Sequence, residues 1–119
     1  MINWGKVWSD FFIFLALTSN IGFIFSHDPY QLVVAIGVNL IATVLKFGVK
    51  KILSAELLAT AFVADLHLIP SAILYFSNFH LDLAIGLAIG AAVANTISII
   101  LLIVEIIFEY RKQEEEEDY

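Results

Sequence analysis

An aspartate, a histidine and a proline interrupt one long apolar run at Asp65-Leu66-His67-Leu68-Ile69-Pro70. An ionised carboxylate at the centre of a bilayer costs roughly 2.5–3.5 kcal/mol on the insertion scale, so a residue kept at such depth is a functional candidate. Asp65 could take up a cation or a proton there, and Pro70, which has no N–H, would leave one helix carbonyl free as a further oxygen. The structural alternative is a paired or neutral Asp65 that hydrogen-bonds Asn39 or Asn95 and holds a bundle together. Two residues apart on a helix means about 160° apart in direction, so Asp65 and His67 cannot serve one site unaided. His67 shares a face with Glu56, Thr60 and Ser71, and Asp65 shares one with Ser54, Ala61 and Ala72. The Asp65 face is mostly small, so Asp65 must find its partner on another helix. His67 is also readable as a packing histidine with a satisfied ring.

A second set of candidates lies further on. Ala84, Ala88, Ala91, Asn95, Ser98, Leu102, Glu105 and Glu109 follow the spacing 4-3-4-3-4-3-4. Such a heptad stripe keeps one helix face towards a partner. If that partner is a symmetry axis, Asn95 and Ser98 form a narrow point and Glu105 and Glu109 form carboxylate rings, which favour cations. If it is not, the acids only reach water at a helix end. Gly86, Gly90, Ala94 and Ser98 recur at four-residue steps, a small-residue pattern that permits close helix contact. Asn39 and Lys46, seven residues apart, place a polar stripe on one more segment. Lys46 is expected either to snorkel to the headgroups or to pair with Glu105, and Lys50 or Lys51 to pair with Glu56.

These residues need membrane helices to hold them. A spanning helix takes about 20 mostly apolar residues, and the chain of 119 residues supplies runs at 4–25, 30–49, 54–76 and 83–108. Hydrophobic residues make up 61% and charged residues 15%, with a mean hydropathy of +0.90. One small soluble core could not hide that much apolar surface, which excludes a soluble enzyme, a nucleic-acid binder and a disordered chain. The absence of cysteine removes thiolate catalysis, disulfides and thiolate metal sites. No nucleophile stands near a base at a readable spacing and no metalloprotease or dinucleotide motif occurs, so an enzyme is not expected.

The six basic residues, Lys6, Lys46, Lys50, Lys51, Arg111 and Lys112, all fall on one side of the four spans. The positive-inside rule makes that side cytoplasmic, with both termini inside, and argues against dual topology. Trp4, Trp8, Phe108 and Tyr110 are expected in the inner aromatic belt, and Tyr30, Tyr75 and Phe79 in the outer one. The first span reads as a signal anchor, since no small-x-small cleavage site follows it. His27 with Asp28 and His80 with Asp82 are expected to end and cap helices rather than bind a metal. Residues 1–112 form the transmembrane domain and 113–119 an acidic tail, which holds five of the twelve acids.

Length and span count are similar to those of small multidrug-resistance transporters and small fluoride channels. The first span, however, has only Asp10 near its start where the transporters place a glutamate. The third has Asp65, His67 and Pro70 where the channels have a Thr- and Phe-rich break. Residues 55–70, from Ala55-Glu56-Leu57-Leu58-Ala59 through His67-Leu68-Ile69-Pro70, more closely resemble an uncharacterised family of small four-span bacterial membrane proteins. That resemblance implies no activity.

The expected fold is all-α, a polytopic bundle of four antiparallel helices, in a bacterial inner membrane and assembled as a homo-oligomer. The expected function is a cation-preferring ion channel or transport component with Asp65, His67, Asn39, Asn95, Ser98, Glu105 and Glu109 along its path. Its partners are then inorganic cations and the lipid bilayer, with no cofactor, no metal site and no nucleic acid. The alternative is a non-conducting accessory or assembly subunit of a larger membrane complex.

Overall fold

The computed structural model describes residues 2–47 and 53–117. Within them are four helices, α1 (Trp4–Ser26), α2 (Pro29–Phe47), α3 (Ser54–Phe76) and α4 (Leu81–Glu117), and no strand. Each is long and apolar enough to cross a bilayer, so the chain is an all-α integral membrane protein. Val49, Lys50, Lys51 and Asp118 lie outside the described residues, and with them the expected Lys–Glu56 pairing.

Local chemistry sets the helix ends. The Asn3 side chain accepts from the Lys6 amide at 3.2 Å and so caps α1. His27, at φ 56°, takes the left-handed turn after α1 and donates its N–H to the Phe23 carbonyl at 2.8 Å. Asp28 then accepts from the Tyr30 amide at 2.9 Å, and Pro29 opens α2, where its missing N–H costs nothing. Asp28 therefore caps as expected. Asp82 does not: the Leu83 amide donates to Nδ1 of His80 at 3.2 Å, because the helix starts two residues earlier than the apolar run and puts His80 at the capping position. Among the described residues no three His, Asp or Glu side chains gather as metal ligands would.

α4 runs to Glu117, well past residue 108 where the apolar run ends. Nothing in Arg-Lys-Gln-Glu stops a helix, since all four are good helix formers.

The helices close into a ring: α1 packs on α2, α2 on α3, α3 on α4 and α4 back on α1. Among the described residues neither diagonal pair touches. The outer half of the interior holds Phe23, Leu32, Ala64, Leu68, Ala88, Ala91 and Ala94, and the inner half holds Ile13, Leu57 and Leu102. Trp4, Trp8, Phe11 and Phe14 of α1, with Ile97, Ile100 and Ile103 of α4, remain on the outside, where lipid chains meet them. Tyr75 departs from the expected aromatic belt. It packs edge-on against Phe23 with centroids 5.2 Å apart and donates its hydroxyl to the His27 carbonyl, which closes the outer end of the bundle.

Candidate functional site

The stripe on α4 points into the bundle of its own chain. Ala84, Ala88, Ala91, Asn95, Ser98, Leu102 and Glu105 are all buried, and Glu109 is half-buried where α4 leaves the other helices. The heptad spacing thus serves the intramolecular seam, and the residues expected around a symmetry axis sit in the interior of one chain. The reason is the small Ala run, which lets α1 and α3 close over that face.

Polar side chains follow this interior from end to end. Near the outer end, Ser71 of α3 donates to the Ala84 carbonyl at 2.6 Å, and Asn20 of α1 donates to the Ala88 carbonyl at 3.1 Å. Deeper, the Thr43 hydroxyl of α2 lies 2.6 Å from Oδ2 of Asp65. The same hydroxyl is 2.9 Å from the Asn39 carbonyl, and Asn39 itself donates to the Ala35 carbonyl at 2.6 Å. Asn95 of α4 is buried, and its amide nitrogen has no hydrogen-bond partner. One turn further in, Ser98 is hydrogen-bonded to Thr60 of α3. Lys46 of α2 places Nζ 3.4 Å from Ser98 Oγ and 3.4 Å from the Leu57 carbonyl. At the inner end, Oε2 of Glu105 accepts from the Leu53 amide at 2.9 Å.

Three ionisable residues are therefore inside the bundle: Lys46 at 8%, Asp65 at 8% and Glu105 at 1% exposure. Burying a charge is costly without compensation, and the structure shows part of what compensates each. Asp65 meets a hydroxyl and feels the nearby Lys46 charge. Its partner is Thr43, not the expected Asn39 or Asn95, because the two hydrogen bonds tie Asn39 to its own helix and α2 brings Thr43 to the level of Asp65. Lys46 does not snorkel; it turns in among oxygens of α3 and α4. Glu105 satisfies the first turn of α3, where Leu53 has no side-chain oxygen to do so, and its charge suits the positive end of that helix.

His67 is separate from this group. A carbonyl only accepts, so Nδ1 donates to the Val63 carbonyl at 2.8 Å, and the half-buried ring lies over Gly90. A Cβ on Gly90 would stand 2.5 Å from Cδ2 of that ring. Gly90 and buried Ala94 are packing positions as expected, but Gly86 is not: nothing lies within 4 Å of a Cβ there, because it faces outward. α3 continues through Pro70, which with Leu66 occupies the outward face. The carbonyl that Pro70 leaves free is thus turned away from Asp65.

Asn20 and Thr43 were not singled out as site residues in the sequence. A signal was present for the first: Ser9, Ile13, Ala16, Asn20 and Phe23 repeat the 4-3-4-3 spacing, and all are buried. Thr43 stands four residues after Asn39, on its face.

No curated protein and no solved structure matches the chain. A family model described as a family of unknown function, DUF6394, matches residues 26–106, which take in the whole polar interior from Asn39 to Glu105 and the stretch 55–70 that resembled an uncharacterised family. The chain belongs to the family of unknown function DUF6394.

Proposed function

We propose that this protein is a small ion-conducting membrane protein that favours cations, that the cation it passes is the proton, and that Asp65 is the residue that holds it. The Thr43 hydroxyl carries this reading. It has one hydrogen and two acceptors in reach, Oδ2 of Asp65 at 2.6 Å and the Asn39 carbonyl at 2.9 Å. With Asp65 ionised, the hydrogen lies towards the carboxylate. With Asp65 protonated, the carboxyl donates to Thr43, and Thr43 donates to Asn39. Both charge states of Asp65 keep their hydrogen bonds without movement of a helix, as a site that loads and unloads a proton requires. An aspartate that only ties helices together needs one state.

The file of Ser71, Asn20, Asn39, Asn95, Thr60 and Ser98 on either side of Asp65 supports a path along the bundle interior. Lys6 and Lys46, with Arg111 and Lys112 of α4, mark the end of the bundle that we assign to the cytoplasm of a bacterial cell. The path lies within one chain, so assembly is a separate part of the reading. Gly37 and Gly86, open on the outward faces of α2 and α4, suit the approach of a second copy.

The test is proton flux into liposomes that contain the purified protein, a pH-sensitive dye and a potassium gradient clamped by valinomycin. The wild-type chain should dissipate the imposed gradient, and Asp65→Asn should not. A folded wild-type protein that passes no proton or other ion over a broad range of pH and voltage defeats the reading. The accessory-subunit reading then takes over. It is supported by the inner part of α4, which extends beyond the start of α3 and offers a free arm to a partner.

A further inference from the structure

Lys46 stands one residue before the end of α2 as described, close enough to an interface for its stem to carry the ammonium out to the headgroups. It turns inward instead. Its Nζ is 3.4 Å from the Leu57 carbonyl and 3.4 Å from Ser98 Oγ, distances of an ion among oxygens more than of tight hydrogen bonds. Those oxygens belong to a closed ring. Thr60 donates to the Leu57 carbonyl at 2.9 Å and is bonded to Ser98. Because the single Thr60 hydrogen is spent on Leu57, Ser98 must be the donor to Thr60, and a lone pair of Ser98 is left for Lys46. The ring orients oxygen lone pairs, not hydrogens, towards the ammonium.

The surroundings carry the opposite charge. Asp65 and Glu105 are buried in the same interior, and the formal charge of the three groups is negative even with Lys46 present. Carbonyl, hydroxyl and carboxylate oxygens are the ligands that alkali and alkaline-earth cations prefer.

We infer that the Lys46 ammonium is the tethered occupant of a monovalent-cation site, formed by the Leu57 carbonyl and the Ser98 hydroxyl in the field of Asp65 and Glu105. A chain without that ammonium then binds a free alkali cation in its place. Wild-type protein is closed to sodium and potassium at this point because its own lysine fills the site. The inference rests on the ring and the buried charges, and it stands whether or not protons cross the bundle.

The experiment is thermal unfolding of the purified full-length chain in detergent, in lithium, sodium, potassium or choline chloride at equal ionic strength. Wild type should melt at the same temperature in all four. Lys46→Met, which keeps the stem and loses the charge, should show a saturable rise with at least one alkali ion over choline, roughly 5–10 °C at a hundredfold excess over Kd. Adding Ser98→Ala to Lys46→Met should reduce the rise. Lys6→Met, a change at the edge of the bundle, should behave as wild type. A Lys46→Met chain that folds only in an alkali salt supports the site equally. A Lys46→Met chain that folds with no alkali-specific rise overturns it. So does one that folds in none of the salts, if Lys46→Gln folds and also lacks the rise or likewise fails in every salt.

Discussion

Thr43 and Glu105 carry the chemistry of this interior at the scale of single residues. Thr43→Val keeps the shape and removes the hydroxyl, so Asp65 loses its donor; Thr43→Ser restores it. Thr43→Val should lower stability in detergent by about 1 kcal/mol and slow proton flux, and Thr43→Ser should recover both. Unchanged flux in a folded Thr43→Val protein would remove the hydroxyl from the path. Glu105 was expected to line a carboxylate ring, but its Oε2 receives the Leu53 amide. A glutamine can still accept that N–H, whereas an alanine cannot. Glu105→Ala should therefore destabilise the protein by about 1–2 kcal/mol, the usual size of a lost helix cap, and Glu105→Gln by less. Urea or thermal unfolding of the two proteins side by side measures the difference.

At the scale of the helix, close approach of α3 and α4 depends on what the glycines face. His67 covers Gly90, while open space covers Gly86. Gly90→Leu must displace the His67 ring or part the two helices, and should cost about 1–3 kcal/mol, as overpacking does. Gly86→Leu should leave the melting temperature of a monomeric preparation unchanged. Equal effects from the two substitutions would contradict the observed rotation of α4. Pro70 gives a second test of orientation. Because it sits on the outward face of α3, Pro70→Ala should leave proton flux as it is, although it stands only five residues from Asp65.

At the scale of the whole molecule, the ring of helices fixes which loops share a side, and charge fixes which side is the cytoplasm. Reporter fusions at His27, Lys51, His80 and Tyr119 should read outside, inside, outside and inside. An external C-terminus would reverse the orientation assigned above. The principal-axis extent of 61 Å is set by α4, whose 37 residues reach about 55 Å at the rise of an α-helix. Antiparallel α3 begins opposite Glu105, so the last turns of α4 stand clear of it. Truncation after Lys112 removes exposed residues alone and should leave bundle stability within about 0.5 kcal/mol.

Length, apolar periodicity and the position of charges are local properties, and they determined the four helices, the links between them and the buried stripe on α4. A run of apolar residues leaves only a helix as a way to satisfy its backbone in lipid. A 4-3 spacing must keep Ala84 through Glu105 on one face whatever lies opposite. What lies opposite is not local. A heptad stripe fits a symmetry axis as well as it fits the neighbouring helices of the same chain, and only the packed bundle shows that α1 and α3 cover it. The same holds for partners. Asp65 was legible as a residue that needs one, but Thr43, Asn39 and Asn95 can each supply a hydrogen bond, and the choice depends on the relative height of α2 and α3. The fate of Lys46 follows from that height as well: the side chain can reach the headgroups or the interior, and tertiary packing alone brings the Leu57 carbonyl and Ser98 within its length.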